Sequence, residues 1–129
     1  MAVNWWLLMA GLGALASAGG HAFAGAKVFH RPMRASLSDD LHQGVLDNLW
    51  YIVTINFAVS GIGLLAGGLG RGDALLALVV AAQFGAYAAL ALGISLRLGG
   101  VARLPQWTLF AAVALLAAFG ALSSHEGAG

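Results

Sequence analysis

The sequence predicts an all-α integral membrane protein, an antiparallel up-down four-helix bundle. Of its 129 residues, 60% are hydrophobic and only 9% are charged, whereas soluble domains average about 25% charged residues. Four runs of the chain contain no charge, and each is longer than the roughly 20 residues that cross a hydrocarbon core as a helix. In lipid, such runs can satisfy their backbone hydrogen bonds only as helices. Barrel strands would need about 10 residues of alternating polarity, and no such alternation occurs.

We predict helices near residues 3–24, 44–67, 73–97 and 105–124, within a single transmembrane domain over 1–129. The first run also has the small residues of a signal peptide, but no positively charged region precedes it, which favours a retained helix. Before the second helix, Ser36 and Asp39 have the spacing of a capping box, which predicts an early start near residue 37. Asp73 is the predicted N-cap of the third helix, and Pro105 suits the first position of the fourth.

The distribution of positive charge predicts the orientation. The first connection, residues 25–43, holds Lys27, Arg31 and Arg34, and the third holds two more arginines, whereas the second holds only one. The first and third connections together hold five positive residues, and the second holds one. Because positive residues are enriched in cytoplasmic connections, we predict that the first and third connections are cytoplasmic and that both termini are outside. Trp50 then lies at the inner interface as part of an aromatic belt. The net charge of +1 disfavours nucleic acid as a partner.

Small residues recur at three- or four-residue spacing on the second and third predicted helices. Helices in a bilayer associate by close packing, which small residues permit. Two interpretations remain open: packing within the bundle, or an interface with another subunit. The predicted packing faces are Ser60, Gly63 and Gly67 on the second helix, and Ala81, Gly85, Ala89 and Gly93 on the third.

A second set of residues is polar and lies within the apolar runs. Asn56, Gln83 and Tyr87 lie near the middle of their helices, so we expect them to face the bundle interior and to bond to one another. They act either as links between helices or as part of a ligand pocket. No full charge lies at mid-depth, which argues against a proton- or ion-coupled pump.

The predicted pocket extends from these residues towards the first connection. Asp47, Tyr51 and Thr54 share one face of the second helix, and we expect His21 of the first helix to lie close to Asp47 or Tyr51. One of Lys27, Arg31 and Arg34 would neutralise Asp47 at the interface. The seam therefore comprises Asp47, Tyr51, Thr54, Asn56, Gln83, Tyr87 and His21.

Metal and haem chemistry are weaker alternatives for this region. His21, His30 or His42 could bind a metal ion together with Asp39, Asp40 or Asp47, but no tight His-x-x-x-His spacing occurs. Paired haem ligands should face each other, and His125 belongs to the opposite membrane face from His21. We therefore predict no metal and no cofactor. No nucleophile–base pair stands out either, so we predict no catalytic residues.

Part of the chain resembles a group of small four-helix bacterial inner-membrane proteins of unknown function. The likeness rests on Gly20-His21-x-Phe23-x-Gly25, Arg31-Pro32, Ser36-x-Ser38 and Trp50-x-x-x-Thr54, over roughly residues 10–60. It implies a location in the bacterial inner membrane. The group has histidine where this chain has Tyr51, which weakens a metal or redox role. Small drug-export transporters differ, since they carry a glutamate in the first helix.

Two functions follow from these patterns. The first is a non-catalytic accessory or assembly subunit that packs against a larger membrane complex or against copies of itself. The second is a binder or transporter of a small lipophilic molecule that uses the polar seam. The expected partners are membrane lipids and other membrane-protein subunits.

Overall fold

A computed structural model describes residues 3–126, apart from the side chains of residues 124–126. Four long helices account for most of this part: α1, Trp5–Ser36; α2, Asp40–Gly68; α3, Ala74–Arg97; and α4, Gln106–Glu126. All four are long and apolar enough to cross a membrane. The predicted all-α architecture with four candidate membrane helices is therefore confirmed.

The first helix is longer than the sequence predicts. It continues to Ser36, so most of the expected connection over residues 25–43 is helical, and only residues 37–39 separate α1 from α2. The prediction was wrong because basic residues mark the end of an apolar run, not the end of a helix. The helix winds in the α form over Trp5–Gly19 and Arg31–Ser36, and in the π form over Gly20–His30.

Side-chain caps fix where the next helices begin. Asp39 accepts a hydrogen bond from the Leu41 N–H at 3.3 Å, so α2 begins at Asp40. The capping box predicted at Ser36 is not formed, because its hydroxyl donates to the Met33 carbonyl. Asp73 caps α3 as predicted, accepting from the Leu75 N–H at 2.9 Å.

The helices are arranged in a ring in the order α2, α1, α4, α3. The α1–α2 and α3–α4 pairs pack most extensively, α1 also packs along α4, and α2 meets α3 least. At the α1–α2 crossing, a Cβ added to Gly11 would lie 2.9 Å from the Gly61 carbonyl oxygen, and one added to Gly61 would lie 3.0 Å from the Gly11 carbonyl oxygen. The two backbones thus touch at glycines outside the predicted packing faces.

The predicted small-residue stripe of α3 only partly faces the bundle. Ala81 is buried and a Cβ on Gly85 would lie 4.0 Å from Ala114, but Ala89 is exposed and a Cβ on Gly93 would meet nothing within 4 Å. Each four-residue step rotates about 40° past a full α-helical turn, so the stripe winds away from the interior. The face that α3 buries consists of Ala77, Val80, Ala81, Phe84, Ala88, Ala91 and Ser95.

On α2, the predicted packing face contacts its neighbours without close backbone approach. Ser60 is buried. A Cβ on Gly63 would lie 3.5 Å from a Leu76 side-chain carbon, and one on Gly67 would lie 3.3 Å from a Leu7 side-chain carbon. These glycines therefore take part in packing within the bundle, on the side towards α3 and α1.

Four aromatic rings from α2, α3 and α4 form the centre of the core. The centroids of Phe57, Phe84, Tyr87 and Phe110 lie 5.4 to 6.0 Å apart, the separation at which tilted and edge-to-face aromatic pairs are favourable. This cluster fills the bundle beside the region where α1 adopts the π form, since His21 meets Phe57 edge-on at 5.8 Å.

The two ends of the bundle differ. At the end where α1 begins, the Asn4 main-chain N–H donates to the Gly68 carbonyl at 2.9 Å, and its side-chain amide donates to the Gly120 carbonyl at 2.7 Å. One residue thus ties α1 to the last turn of α2 and to α4. The opposite end, where α1 meets the start of α2 and α4, contains two clefts.

Candidate ligand site at the α1–α2 junction

The π-helical winding of Gly20–His30 brings two histidines to one side of α1. His21 and His30 are nine residues apart. At the α-helical spacing of about 100° per residue, they would lie on opposite faces. The i→i+5 hydrogen bonding of a π-helix gives a wider turn of between four and five residues, so nine residues make about two turns. Both side chains therefore point towards α2.

Trp50 of α2 lies against both imidazole rings. Its indole stacks on His21 with ring centroids 3.9 Å apart and on His30 at 5.0 Å. Gly25, between the two histidines in sequence, lies under the indole: a Cβ there would be 3.2 Å from Trp50 Cζ2. A glycine at this position allows the indole to approach the backbone of α1 closely.

The hydrogen bonds of His21 fix which of its nitrogens carries a proton. Its Nδ1 lies 2.8 Å from Thr54 Oγ1, and that hydroxyl lies 3.0 Å from the Trp50 carbonyl, to which it donates. A hydroxyl has one proton, so Thr54 accepts from His21 Nδ1–H. In the neutral ring, Nε2 is left as an acceptor, and no hydrogen bond of it occurs among the described residues.

His30 belongs to a network that fixes a carboxylate. Its Nε2 donates to Asp47 Oδ1 at 2.8 Å, and Arg34 Nε donates to Asp47 Oδ2 at 3.0 Å. His30 is buried, whereas the Arg34 side chain is 48% exposed. Arg34 is thus the basic residue that neutralises Asp47, one of the three that the sequence offered.

The Trp50 indole N–H is a donor without a hydrogen-bond acceptor. It is buried, and it is the one buried side-chain nitrogen or oxygen in the described part of the chain that lacks a partner. Leaving a buried donor unpaired costs about 1–3 kcal/mol. Such groups are few in folded proteins, so this one marks a place where a further acceptor would be stabilising.

Trp50 lies at the boundary of two clefts. One has a volume of about 550 Å³ and a polar wall, and we name it the polar cleft; it is lined by Ala22, Ala26, His30, Arg31, Arg34, Asp47, Trp50, Tyr51 and Thr54. The other has a volume of about 470 Å³ and mostly apolar walls, and we name it the apolar cleft. Its lining is Ala16, Ser17, Gly20, His21, Gly25, Phe29, Met33, Trp50, Phe57, Leu104, Gln106, Leu109 and Phe110.

The structure divides the predicted seam into two parts. Asp47, Tyr51 and Thr54 line the polar cleft. The sequence predicts that His21 lies close to Asp47 or Tyr51, but His21 bonds to Thr54. The π winding gives the contacts with Asp47 and Tyr51 to His30 instead. The remaining three residues of the seam line neither cleft.

Those three residues form a separate amide cluster between α2 and α3. Gln83 Nε2 donates to Asn56 Oδ1 at 2.8 Å, and Asn56 Nδ2 donates to the Tyr87 hydroxyl at 3.1 Å. The Ser60 hydroxyl also donates to Asn56 Oδ1 at 3.3 Å. The expectation that the mid-helix amides bond to each other is confirmed, and their mutual bonds link the two helices that otherwise pack least.

The histidines and carboxylates meet in pairs. Besides His30 and Asp47, His42 Nδ1 lies 2.5 Å from Asp39 Oδ2 on the exposed first turn of α2. No three His, Asp or Glu side chains come close enough to hold a metal ion among those that the structure describes. The side chain of His125, considered above as a haem ligand, lies outside the described side chains.

Sequence patterns alone miss the centre of this site. Trp50 is predicted only as a residue of an aromatic belt, and His30 only as one of several metal-ligand candidates. The one signal for this site in the sequence is Gly25, which lies between His21 and His30. Because it has no side chain, it leaves the backbone accessible between the two imidazoles. Comparison with protein-family models, with curated proteins and with solved structures finds no match to this chain.

Proposed function

We propose that this protein is a multi-pass membrane protein of the bacterial inner membrane that binds a small amphipathic molecule where α1 meets α2. The observation that carries the proposal is Trp50, which lines both a polar and an apolar cleft and has a buried indole N–H without a partner among the described residues. A bound molecule with an acceptor atom at this boundary would pair the indole and bury its apolar part beside it.

The dimensions and the chemistry of the clefts support a small ligand. Sites for small molecules usually have volumes of about 300–1,000 Å³, with mostly apolar walls and a few polar groups that fix orientation. Here the apolar wall comes from Phe29, Met33 and Leu109. The orienting groups are the Trp50 donor and the free acceptor nitrogen of His21.

The rest of the surface supports a membrane location. Large apolar side chains are exposed on all four helices, among them Trp5, Leu41, Leu90 and Leu122, and continuous exposed apolar surface marks contact with other molecules or with lipid. The positive-inside bias then favours both termini outside. In this orientation, the two clefts lie at the cytoplasmic face.

Fluorescence quenching tests the proposed function. In detergent micelles, the protein is titrated with phosphatidylcholine whose acyl chains carry bromine, and the signal of Trp50 is obtained as the difference between the wild-type chain and Trp50→Phe. We expect this difference to fall and then saturate, because the bound chain lies against one indole. Trp107→Phe is the matched control, since its N–H is paired with the Val101 carbonyl at 2.9 Å. A Trp50 signal that falls without saturating, like that of the exposed tryptophans, would contradict a binding site.

An accessory or assembly subunit is the second candidate function. The observation that favours it is the outward part of the α3 stripe, where Ala89 is exposed and a Cβ on Gly93 would meet nothing within 4 Å. Flat surfaces of this kind allow another transmembrane helix to approach closely.

A further inference from the structure

We infer that the polar cleft recognises an anionic head group, so that the amphipathic ligand is an acidic lipid with a phosphate head. This inference rests on the proposed function and specifies the chemistry of the ligand. Its first support is the charge of the cleft. Arg31 and Arg34 contribute two positive charges and Asp47 one negative charge, so the Arg and Asp side chains of the lining sum to one positive charge.

The second support is that the carboxylate is already engaged. One Asp47 oxygen accepts from His30 and the other from Arg34. Arg34 uses only its Nε for this contact, which leaves the terminal nitrogens of its guanidinium without a partner among the described residues. Arg31 makes no ion pair in that part of the chain. The cleft therefore offers unused guanidinium donors and no unused carboxylate.

The third support is that one of the two guanidinium groups, that of Arg34, is held in place before a ligand binds. Arg34 is held by Asp47, and Asp47 is held by the buried His30, which stacks on Trp50. Arg31 lies three residues before Arg34 in the same short α-helical part, so the two side chains share a face. Guanidinium groups bind phosphate through paired hydrogen bonds, and a held guanidinium loses less freedom when it does so.

The fourth support concerns the rest of the ligand. Trp50 lines both clefts, so a head group in the polar cleft lies one side chain away from apolar walls. A free phosphate ion would use the first cleft alone. A lipid would fill both, and its ester or phosphate oxygens would lie near the unpaired indole N–H. The position of the two clefts on either side of Trp50 therefore favours the lipid.

Competition between head groups tests the inference. The wild-type chain is equilibrated in micelles with equimolar phosphatidylglycerol and phosphatidylcholine of identical acyl chains, and the retained lipids are counted by native mass spectrometry. We expect phosphatidylglycerol to be retained about tenfold more often, and Arg31→Gln to lose most of that preference. Lys27→Gln is the matched control: Lys27 lies on the same helix and lines neither cleft, yet it shares the general attraction of basic residues to acidic lipid. Arg31 is exposed, so its replacement leaves the packing intact.

The outcomes separate this inference from the proposed function. Equal retention of the two lipids by the wild-type chain, or an equal loss of preference in Lys27→Gln and Arg31→Gln, would overturn the anionic head group. If either result is obtained and brominated phosphatidylcholine still quenches Trp50 saturably, the proposed binding site stands and only the preference for an anionic head group is lost. Competition by free glycerol phosphate as strong as by phosphatidylglycerol would also overturn the inference, since the site would then hold a soluble anion.

Discussion

Gly61 and Gly63 lie two residues apart on α2, and only Gly61 lies in a tight contact. A Cβ on Gly61 would be 2.7 Å from the Leu15 side chain and 3.0 Å from the Gly11 carbonyl oxygen, whereas one on Gly63 would be 3.5 Å from Leu76. The first distance requires the Leu15 side chain to shift, and the second is tighter than ordinary contact with a backbone atom. The distance at Gly63 is ordinary van der Waals contact. Of these two glycines of α2, only Gly61 contributes to the close approach of α1 and α2.

We expect Gly61→Ala to destabilise the protein and Gly63→Ala to leave it as stable or slightly more stable. Overpacking of a tight contact costs about 1–3 kcal/mol, while replacing a helical glycine by alanine gains up to about 1 kcal/mol at either site. The thermal midpoint of unfolding, followed by circular dichroism in one detergent, compares the two variants. An equal midpoint for both would contradict the assignment of the α1–α2 contact to Gly61.

The same pair shows what the sequence can predict at this scale. Gly63 and Gly67 have the four-residue spacing typical of close helix contacts, and both do contact neighbouring side chains. The pattern cannot show which side of the helix faces α1, because that depends on the rotation of the whole helix. The glycines that let two backbones touch, Gly11 and Gly61, carry no such pattern.

At the scale of the helix, the π-helical part of α1 is what the sequence could not predict. Residue types and apolar spacing identify a helix over this region, but nothing in them distinguishes i→i+4 from i→i+5 hydrogen bonding. The sequence predicts His21 beside Asp47 or Tyr51. With π winding, His30 contacts both of these residues, and His21 bonds to Thr54. The candidate site therefore depends on a change of winding that is visible only in the structure.

The third helix shows a related effect, since its regular stripe winds from the interior to the outer surface. We expect Gly93→Leu to reduce self-association, because a leucine there would separate a second helix from α3. Energy transfer between chains labelled with two dyes in lipid vesicles measures this association. Ala112→Leu, a change at an exposed alanine of α4, is the matched control. Transfer no greater than random proximity in the wild-type chain would contradict assembly with copies of itself through this face of α3.

At the scale of the whole molecule, the ring of helices has one weakly packed side, between α2 and α3. The amide cluster lies on that side and joins the two helices through Asn56 and Gln83. Its formation was predictable because amides inside an apolar helix need hydrogen-bond partners, and Asn56, Gln83 and Tyr87 are the polar residues predicted near the middle of the helices. Its separation from the clefts was not predictable, because that depends on the packing of all four helices.

We expect Gln83→Leu to lower stability while lipid binding persists. Hydrogen bonds between membrane helices contribute about 1 kcal/mol, and Gln83 lines neither cleft, so the thermal midpoint should fall while saturable quenching of Trp50 remains. Asn48→Leu, at an exposed amide of α2, controls for the loss of a polar group. Loss of quenching at an unchanged midpoint would instead assign the amide cluster to the ligand site.

The ring order also has a consequence for how the chain assembles. The two most extensive contacts, α1 with α2 and α3 with α4, join helices that are consecutive in sequence, and contacts between near neighbours in the chain form fastest. Each pair can therefore form a hairpin as soon as its second helix has been synthesised. The contact between α1 and α4 requires the last helix. The hydrogen bond from the Asn4 side chain to the Gly120 carbonyl can therefore form only when both hairpins are present. In this order, the clefts at the α1–α2 junction begin to form with the first hairpin, and the apolar cleft acquires its final wall when α4 arrives.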